Sequence, residues 1–226
     1  CSLREAVEAA NATTGPDTIS FNIPGAGTHV IRLTRTLTLS QPSTLIAGET
    51  QPGFAGVPVI VLDGSAVDGA GLQLNHDYLT VRSLSLIHFD GPGEAALSVG
   101  GHEARIEGCL VGIDPAGAEA GNSIGLRISA LNAAVVDSFI AGNETGILLD
   151  HAVNALIQRN RIGLNPGGEV VPNDTGIRLE GATGNVLIGG DSDDHRNTIV
   201  GSRLCGTQYA SPPLGGNLSG HIKIGS

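Results

Sequence analysis

The sequence predicts an all-β solenoid closed at its N-terminal end by one α-helix, and three observations carry that prediction. First, one phrase returns with the same grammar, as Ile124-Gly-Leu-Arg-Ile128, Thr145-Gly-Ile-Leu-Leu149 and Thr175-Gly-Ile-Arg-Leu179. Each is followed by a polar break and a second apolar run, at 132–140, 154–162 and 185–190. Self-similarity at about 20–30 residues marks a fold whose units bury their apolar faces only against their neighbours. Second, the 226 residues include 34 glycines but only 3% aromatics. A wide globular core uses more Phe, Tyr and Trp, whereas a narrow stack filled by Leu, Ile, Val and Ala does not need them. Glycine in turn suits a chain that bends every few residues. Third, beyond the first dozen residues the apolar runs are short, rich in β-branched residues and closely punctuated.

The elements follow in order. The helix is assigned to residues 2–12, where Leu3, Ala6, Val7 and Ala10 fall at i, i+3, i+4 and i+7 and make one apolar stripe. Ser2 and Glu5 have capping-box spacing, each able to satisfy an orphan amide of the first turn, and the Gly15-Pro16 turn leads the chain away. A lone amphipathic helix ahead of many strands needs a flat apolar surface, which the first coil of a solenoid supplies. Covering that coil also hides its open strand edges. Residues 18–23 alternate strictly. Residues 29–39 place Ile31, Leu33, Leu37 and Leu39 on one face and Arg32, Thr34, Thr36 and Thr38 on the other. Arg35 interrupts the apolar face and predicts a bend or a switch of face. Strands are expected at 43–47, 57–62, 71–75, 79–87, 95–99 and 104–111, before the repeated phrases begin. No Asn-Gly hairpin signal and no second helix are present, which argues against a sandwich or a βαβ fold.

Asn132, Asn143, Asn154, Asn160, Asn173, Asn185 and Asn197 all sit at breaks between apolar runs. Asparagine tolerates the left-handed conformation, and in stacked coils it can also bond to its equivalent one coil away; the sequence leaves both readings open. One domain is expected over 1–226, with about eight to ten coils of about 20–25 residues. Residues 206–226 lose the pattern and read as an irregular end with one strand at 220–225, which leaves open that the chain stops before its native terminus.

A net charge of −10 and a pI near 5.0 make nucleic acid and anionic membranes poor partners. No apolar run approaches the roughly 20 residues that span a bilayer. The chain has no Met, so it reads as a processed or excised segment. Cys1, Cys109 and Cys205 match no zinc or redox spacing. Cys109 is expected to be a buried stacking residue, and a disulfide involving Cys1 or Cys205 stays open.

Cys1-Ser-Leu-Arg-Glu-Ala-Val7 resembles the CSLREA motif at the head of secreted bacterial proteins with right-handed parallel β-helix repeats. Residues 111–122 are similar to their "IGTD..G....GN" loop, with a second copy at 162–173. Residues 184–201 are similar to their "GN.IGG....RN.I.G" segment, departing at Asp191–His195, where the family has small uncharged residues. The resemblance implies a pectate-lyase-like superhelix in an exported protein, extracellular or at the cell surface. It implies no activity, because fold does not fix function.

The densest charge cluster is Asp191, Asp193 and Asp194, flanked by His195 and Arg196. Three carboxylates so close could take calcium, but the Asp-x-Asp-x-Asp-Gly order and the following Glu are missing, and a solvated turn is the favoured reading. Polysaccharide hydrolases of this fold pair two carboxylates as acid and base beside Asn-Thr-Asp, Gly-His-Gly and Arg-Ile-Lys motifs. Gly101-His102-Glu103 and His221-Ile222-Lys223 are poor versions in the wrong order. Arg32 with Arg35, or Arg159 with Arg161, are the nearest approaches to a basic pair, and a solubilising outer face is the favoured reading of both. His76, His88, His102 and His151 show no metal spacing. Thr34, Thr36 and Thr38 make one ice-binding-like row without a repeat.

The sequence thus points to a right-handed parallel β-helix acting as a non-catalytic extracellular structural or adhesive module. A polysaccharide lyase, hydrolase or epimerase is the alternative, and a calcium- or ice-binding solenoid the second. No catalytic residue and no cofactor are expected, calcium being the one ion left open. Carbohydrate or an extracellular protein is the expected partner.

Overall fold

The computed structural model describes residues 1–181, 183–190 and 192–202, and the backbone of the strands Cys205–Tyr209 and Ile222–Gly225. The chain winds through three wholly parallel sheets, one strand of each per coil, as a right-handed parallel β-helix. Sheet A holds Thr18–Ser20, Leu45–Ala47, Thr80–Arg82, Arg105–Glu107, Ala134–Val136, Leu156–Gln158 and Leu187–Ile188. Sheet B holds His29–Arg32, Ile60–Asp63, Leu84–Ile87, Leu110–Val111, Phe139–Ile140, Arg161–Ile162, Asn197–Val200 and Ile222–Gly225. Sheet C holds Leu37–Leu39, Leu72–Leu74, Ala95–Val99, Ile124–Ile128, Thr145–Asp150, Thr175–Glu180 and Cys205–Tyr209.

Alternation decides which side chains fill the bore. On sheet A the register stacks Ile46, Val81, Ile106, Val135, Ile157 and Ile188 in one inward column. On sheet B it stacks Leu62, Leu86, Val111, Ile140, Ile162 and Ile199. All twelve are buried. Each apolar residue is thus packed above and below by one of its own kind, which is why the core needs so few rings. The run expected at 29–39 divides between sheets B and C, and the expected break falls at Arg35. That residue lies at the corner, its carbonyl accepting from Arg4 Nη2 at 3.3 Å and its guanidinium 3.5 Å from Glu8 Oε1. The run at 79–87 divides likewise, at Ser83, whose φ is 55°.

The expectation on coil size needs correction. Among the described residues the sheets carry seven or eight strands, which meets the low end of the eight to ten coils expected. Some coils are longer: 22 residues separate Ala134 from its partner Leu156, but 35 separate Leu45 from Thr80. The excess lies in excursions that leave the sheets. Two of them close as small antiparallel loops, through bridges Ile113–Glu119 and Leu164–Val170, and they touch where Asn165 Nδ2 donates to the Gly117 carbonyl at 3.0 Å. They help bury Leu110 on the outer side of sheet B.

The asparagines form ladders. Asn122, Asn143 and Asn173 line the corner between sheets B and C, where Asn122 Nδ2 donates to Asn143 Oδ1 at 2.8 Å and Asn143 Nδ2 to Asn173 Oδ1 at 3.0 Å. A second ladder, at the corner between sheets A and B, runs from Asn160 Nδ2 to Asn197 Oδ1 at 3.1 Å, with Asn160 Oδ1 accepting from the Ser138 amide. These five asparagines are all buried, and their amides serve backbone groups that turn away from the sheets.

The helix spans Leu3–Ala12 with Ser2 as N-cap, and both bonds of the capping box form. Leu3, Val7 and Ala10 are buried against the first coil. Asn11 completes the docking by imitating a strand: its Nδ2 donates to the Thr38 carbonyl at 2.7 Å and its Oδ1 accepts from the Ser40 amide at 2.8 Å. Replacing Leu3 with Asp removes a buried side chain and puts a charge in its place, costing about 2–3 kcal/mol or more. Limited proteolysis should then open the first coils while distant ones hold, because solenoid coupling runs between neighbours; a wild-type cleavage pattern would show that this burial does not secure the cap.

Candidate functional site

The acidic loop that the sequence singled out offers little chemistry in the structure. Asp191 lies outside the described residues. Asp193–His195 form one exposed 3-10 turn, and Asp193 is paired with Arg196. Among the described residues no three His, Cys, Asp or Glu side chains are grouped to hold a metal ion. The basic pairs also come apart. Arg32 sits on sheet B beside Asp63 and Arg35 reaches the cap helix. Arg159 is held by both oxygens of Asp137, at 2.7 and 2.8 Å, whereas Arg161 lies over the Phe139 ring, 5.0 Å from its centroid. The threonine row does not extend along the axis, for Thr38 is followed in register by Gln73 and then Ser98. The side chains of His221 and Lys223 lie outside the described residues.

The richest assembly of ionisable groups is on the outer face of sheet C, on its longest strands. Register places Arg127, Leu148 and Arg178 in one outward column, and Asp150 beside Glu180 in the next. Coils rise by about 4.8 Å, so the two arginines sit about 10 Å apart along the axis. Arg127 Nη1 lies 3.2 Å from Asp150 Oδ2, and its Nη2 donates to the Gly93 carbonyl at 2.9 Å. Arg178 pairs with Glu180. Leu148 lies between the two arginines of the column and is only 4% exposed, packed with Ala95 and Ile124.

His151 closes the assembly. Its Nδ1 is 2.7 Å from Asp150 Oδ1, so the neutral ring with its proton there leaves Nε2 as an acceptor. The residue has φ 59°, and its ring rests on Gly181, where an added Cβ would come within 2.3 Å of Cε1. A side chain at 181 would therefore displace the imidazole. The face thus offers two guanidinium groups, two carboxylates and one oriented imidazole. It can clamp carboxylates and hydroxyls, and it holds a histidine in the arrangement a proton-transfer group needs.

Two other clusters are more self-contained. Asp63, nearly buried, accepts from the Ser65 amide at 2.9 Å and faces His88 Nδ1 at 3.3 Å and Arg32 Nε at 3.4 Å. Burial by itself raises its carboxyl pKa, but the bonds from Ser65 and His88 outweigh it and hold the group below the ordinary carboxylate range. On sheet A, Arg82 bridges Glu49 at 3.1 Å and Glu107 at 3.4 Å, and Arg105 meets Glu107 at 2.9 Å. Both clusters join successive coils. Cys109 is fully buried, which pushes its thiol up to about 11 despite bonds from neighbouring backbone and leaves it inert. Cys1 is exposed and free, and the Cys205 side chain lies outside the described residues.

None of the five residues on sheet C was picked out as a set from sequence, although His151 was noted by itself. Their signal was present in the repeated phrase, whose fourth position is Arg127, Leu148 and Arg178. Aligning the phrases puts the two arginines in one column.

No family model and no curated protein matches this sequence. Among solved structures, the chain is similar to the A-module of the mannuronan C-5 epimerase AlgE4 from Azotobacter vinelandii, at 16% identity and a TM-score of 0.62. That match covers 91% of this chain and 54% of the module, so the chain spans about half the module's length. The enzymatically active domain of tailspike protein 2 from bacteriophage CBA120 matches at 12% identity over 99% of this chain and 43% of its own, with a TM-score of 0.41. An alginate lyase from Paenibacillus sp. FPU-7 matches at 15% identity over 99% and 98%, with a TM-score of 0.33. At these identities the epimerase module establishes a shared β-helix fold alone, and the two lower scores add nothing to it.

Proposed function

We propose that this chain is an extracellular β-helical rod that binds polysaccharide along the outer face of sheet C and does not turn it over. The observation that carries the reading is the column Arg127–Leu148–Arg178 with Asp150, His151 and Glu180 at its edge. Two guanidinium groups set about 10 Å apart along the axis suit a linear polymer that presents oxygen groups at regular intervals, and Arg127 and Arg178 together have more donors than their carboxylate partners use. The absence of turnover is inferred from the carboxylates: Asp150 and Glu180 are each engaged by an arginine, leaving neither as a free acid or base. The CSLREA-like opening supports a secreted protein, and the β-helix shared with the epimerase module is consistent with a carbohydrate partner.

Binding of a hexagalacturonate probe, measured by calorimetry at low and physiological salt, tests the reading. Arg127→Ala and Arg178→Ala should each weaken it about tenfold or more, the loss expected for one charge-assisted contact. Unchanged affinity in the double variant would remove the basis of the proposal. The second reading is an epimerase or lyase, favoured by the 2.7 Å contact between His151 and Asp150. Product formation on mannuronan or pectin that disappears in His151→Ala would make that reading the answer.

A further inference from the structure

The outward column of sheet C has a period of its own. In register it reads Gln73, Ser98, Arg127, Leu148 and Arg178. A cation therefore stands on alternate coils, and the coil between them presents an apolar side chain. Two coil rises of about 4.8 Å set the guanidinium groups about 10 Å apart. The strand that carries Leu148 is also the one that an acidic group on a ligand meets least favourably. It runs Thr145–Asp150, contains no Lys or Arg, follows the exposed Glu144 and ends on Asp150.

Charge across the face limits what can lie on it. Arg127 pairs with Asp150 and Arg178 with Glu180, and Glu144 and Asp174 stand where the two longest strands begin. Carboxylates thus outnumber guanidinium groups, on a chain whose net charge is −10. One acidic group on each guanidinium is favoured, because the fork still has donors to offer. Every negative charge beyond those two is repelled. The ligand that fits best is one that delivers an acid at each arginine and none between.

We propose that sheet C selects a linear polysaccharide in which uronate rings alternate with uncharged rings. An extended chain of equatorially linked pyranoses advances by about one coil rise per ring, so rings two apart reach the two arginines and turn the same side to the protein. The carboxylates of successive uronates meet Arg127 and Arg178. The uncharged ring between them lies over Leu148, where Asp150 accepts from its hydroxyls. A uniform polyuronate in the same pose adds a carboxylate at the middle ring, on the strand that offers only acids and an imidazole. The inference rests on the reading of this face as a polysaccharide site, and it names the charge pattern that the site prefers.

The test titrates the full chain, at one fixed salt concentration, with four hexamers: a hyaluronan hexasaccharide, in which glucuronate alternates with N-acetylglucosamine, and hexamannuronate, hexagalacturonate and uncharged chitohexaose. The alternating hexamer should bind about tenfold more tightly than either uniform polyuronate although it carries half their charge, and chitohexaose should bind most weakly. Leu148→Arg places a cation on every coil and should reverse the order, so that hexamannuronate binds best. Because Leu148 is packed against its neighbours, the melting temperature of that variant is measured beside its affinity. Asp150→Asn removes the negative charge from the middle strand without inserting bulk, and should narrow the gap by raising hexamannuronate affinity. A uniform polyuronate that binds as tightly as the alternating hexamer overturns the inference and leaves the sheet C reading standing. So does a preference for alternation that survives both variants in folded protein. No binding of any acidic probe sinks both.

Discussion

Asn143→Leu should cost on the order of 3–5 kcal/mol of stability, the largest effect expected from any single polar substitution in the stack. The Asn143 side chain is almost completely buried. Its oxygen accepts from the Asn122 amide and from Asn122 Nδ2, and its nitrogen donates to the carbonyls of Val111 and Ala141 and to Asn173 Oδ1, at distances of 2.8–3.2 Å. Leucine fills much of the same space but leaves several of those partners buried without a bond, at about 1–3 kcal/mol each. Asn143→Asp should fare no better, since it cannot donate to the carbonyls. Guanidinium denaturation would measure the loss, and hydrogen exchange should place it in the coils on either side. A change below about 1 kcal/mol would mean that the ladder is a consequence of the stack rather than one of its supports.

Gly146→Ala should destabilise by about 1–3 kcal/mol through overpacking, and Gly146→Val by more. An added Cβ would lie 2.6 Å from the Gly176 carbonyl oxygen and 3.2 Å from Ile140 Cγ2. Gly125 meets the same obstacle one coil earlier, 2.6 Å from the Gly146 oxygen and 2.8 Å from Val111 Cγ1. Gly184→Ala provides the contrast, for nothing lies within 4 Å of its added Cβ and its φ is not in the left-handed range. There the lower entropy of the unfolded chain should leave stability equal or slightly raised. Thermal melts of the two alanine variants should therefore move in different directions, and equal losses would refute the close-approach argument.

Those two glycines mark what the sequence could and could not tell. The repeated phrase was legible because periodicity is written along the chain, and so were the cap helix, the switch near Arg35 and the strand at Ala95–Val99. The reason for glycine at the second place of each phrase was not, because it depends on a carbonyl in the next coil. Coil size was underestimated because the excursions between the sheets carry no periodic signal of their own, so that 35 residues separate Leu45 from Thr80. The candidate site suffered from the same local view. Asp191, Asp193 and Asp194 drew attention by adjacency, yet adjacent carboxylates in a turn mostly face water. Arg127, Asp150 and Arg178 are far apart in sequence and meet only through register.

The unequal coils have a mechanical consequence. Three sheets keep a common rise while the length of chain per turn varies, so the molecule resembles a spool whose windings differ. Under axial tension a winding can come free only as a whole, because each is fastened to the next by three short ladders. The slack released then depends on which winding yields. At about 3.4 Å per extended residue, the 22 residues from Ala134 to Leu156 pay out roughly 75 Å, and the 35 from Leu45 to Thr80 roughly 120 Å. A force–extension trace of this rod would therefore carry an address for each winding, written in the length of its step.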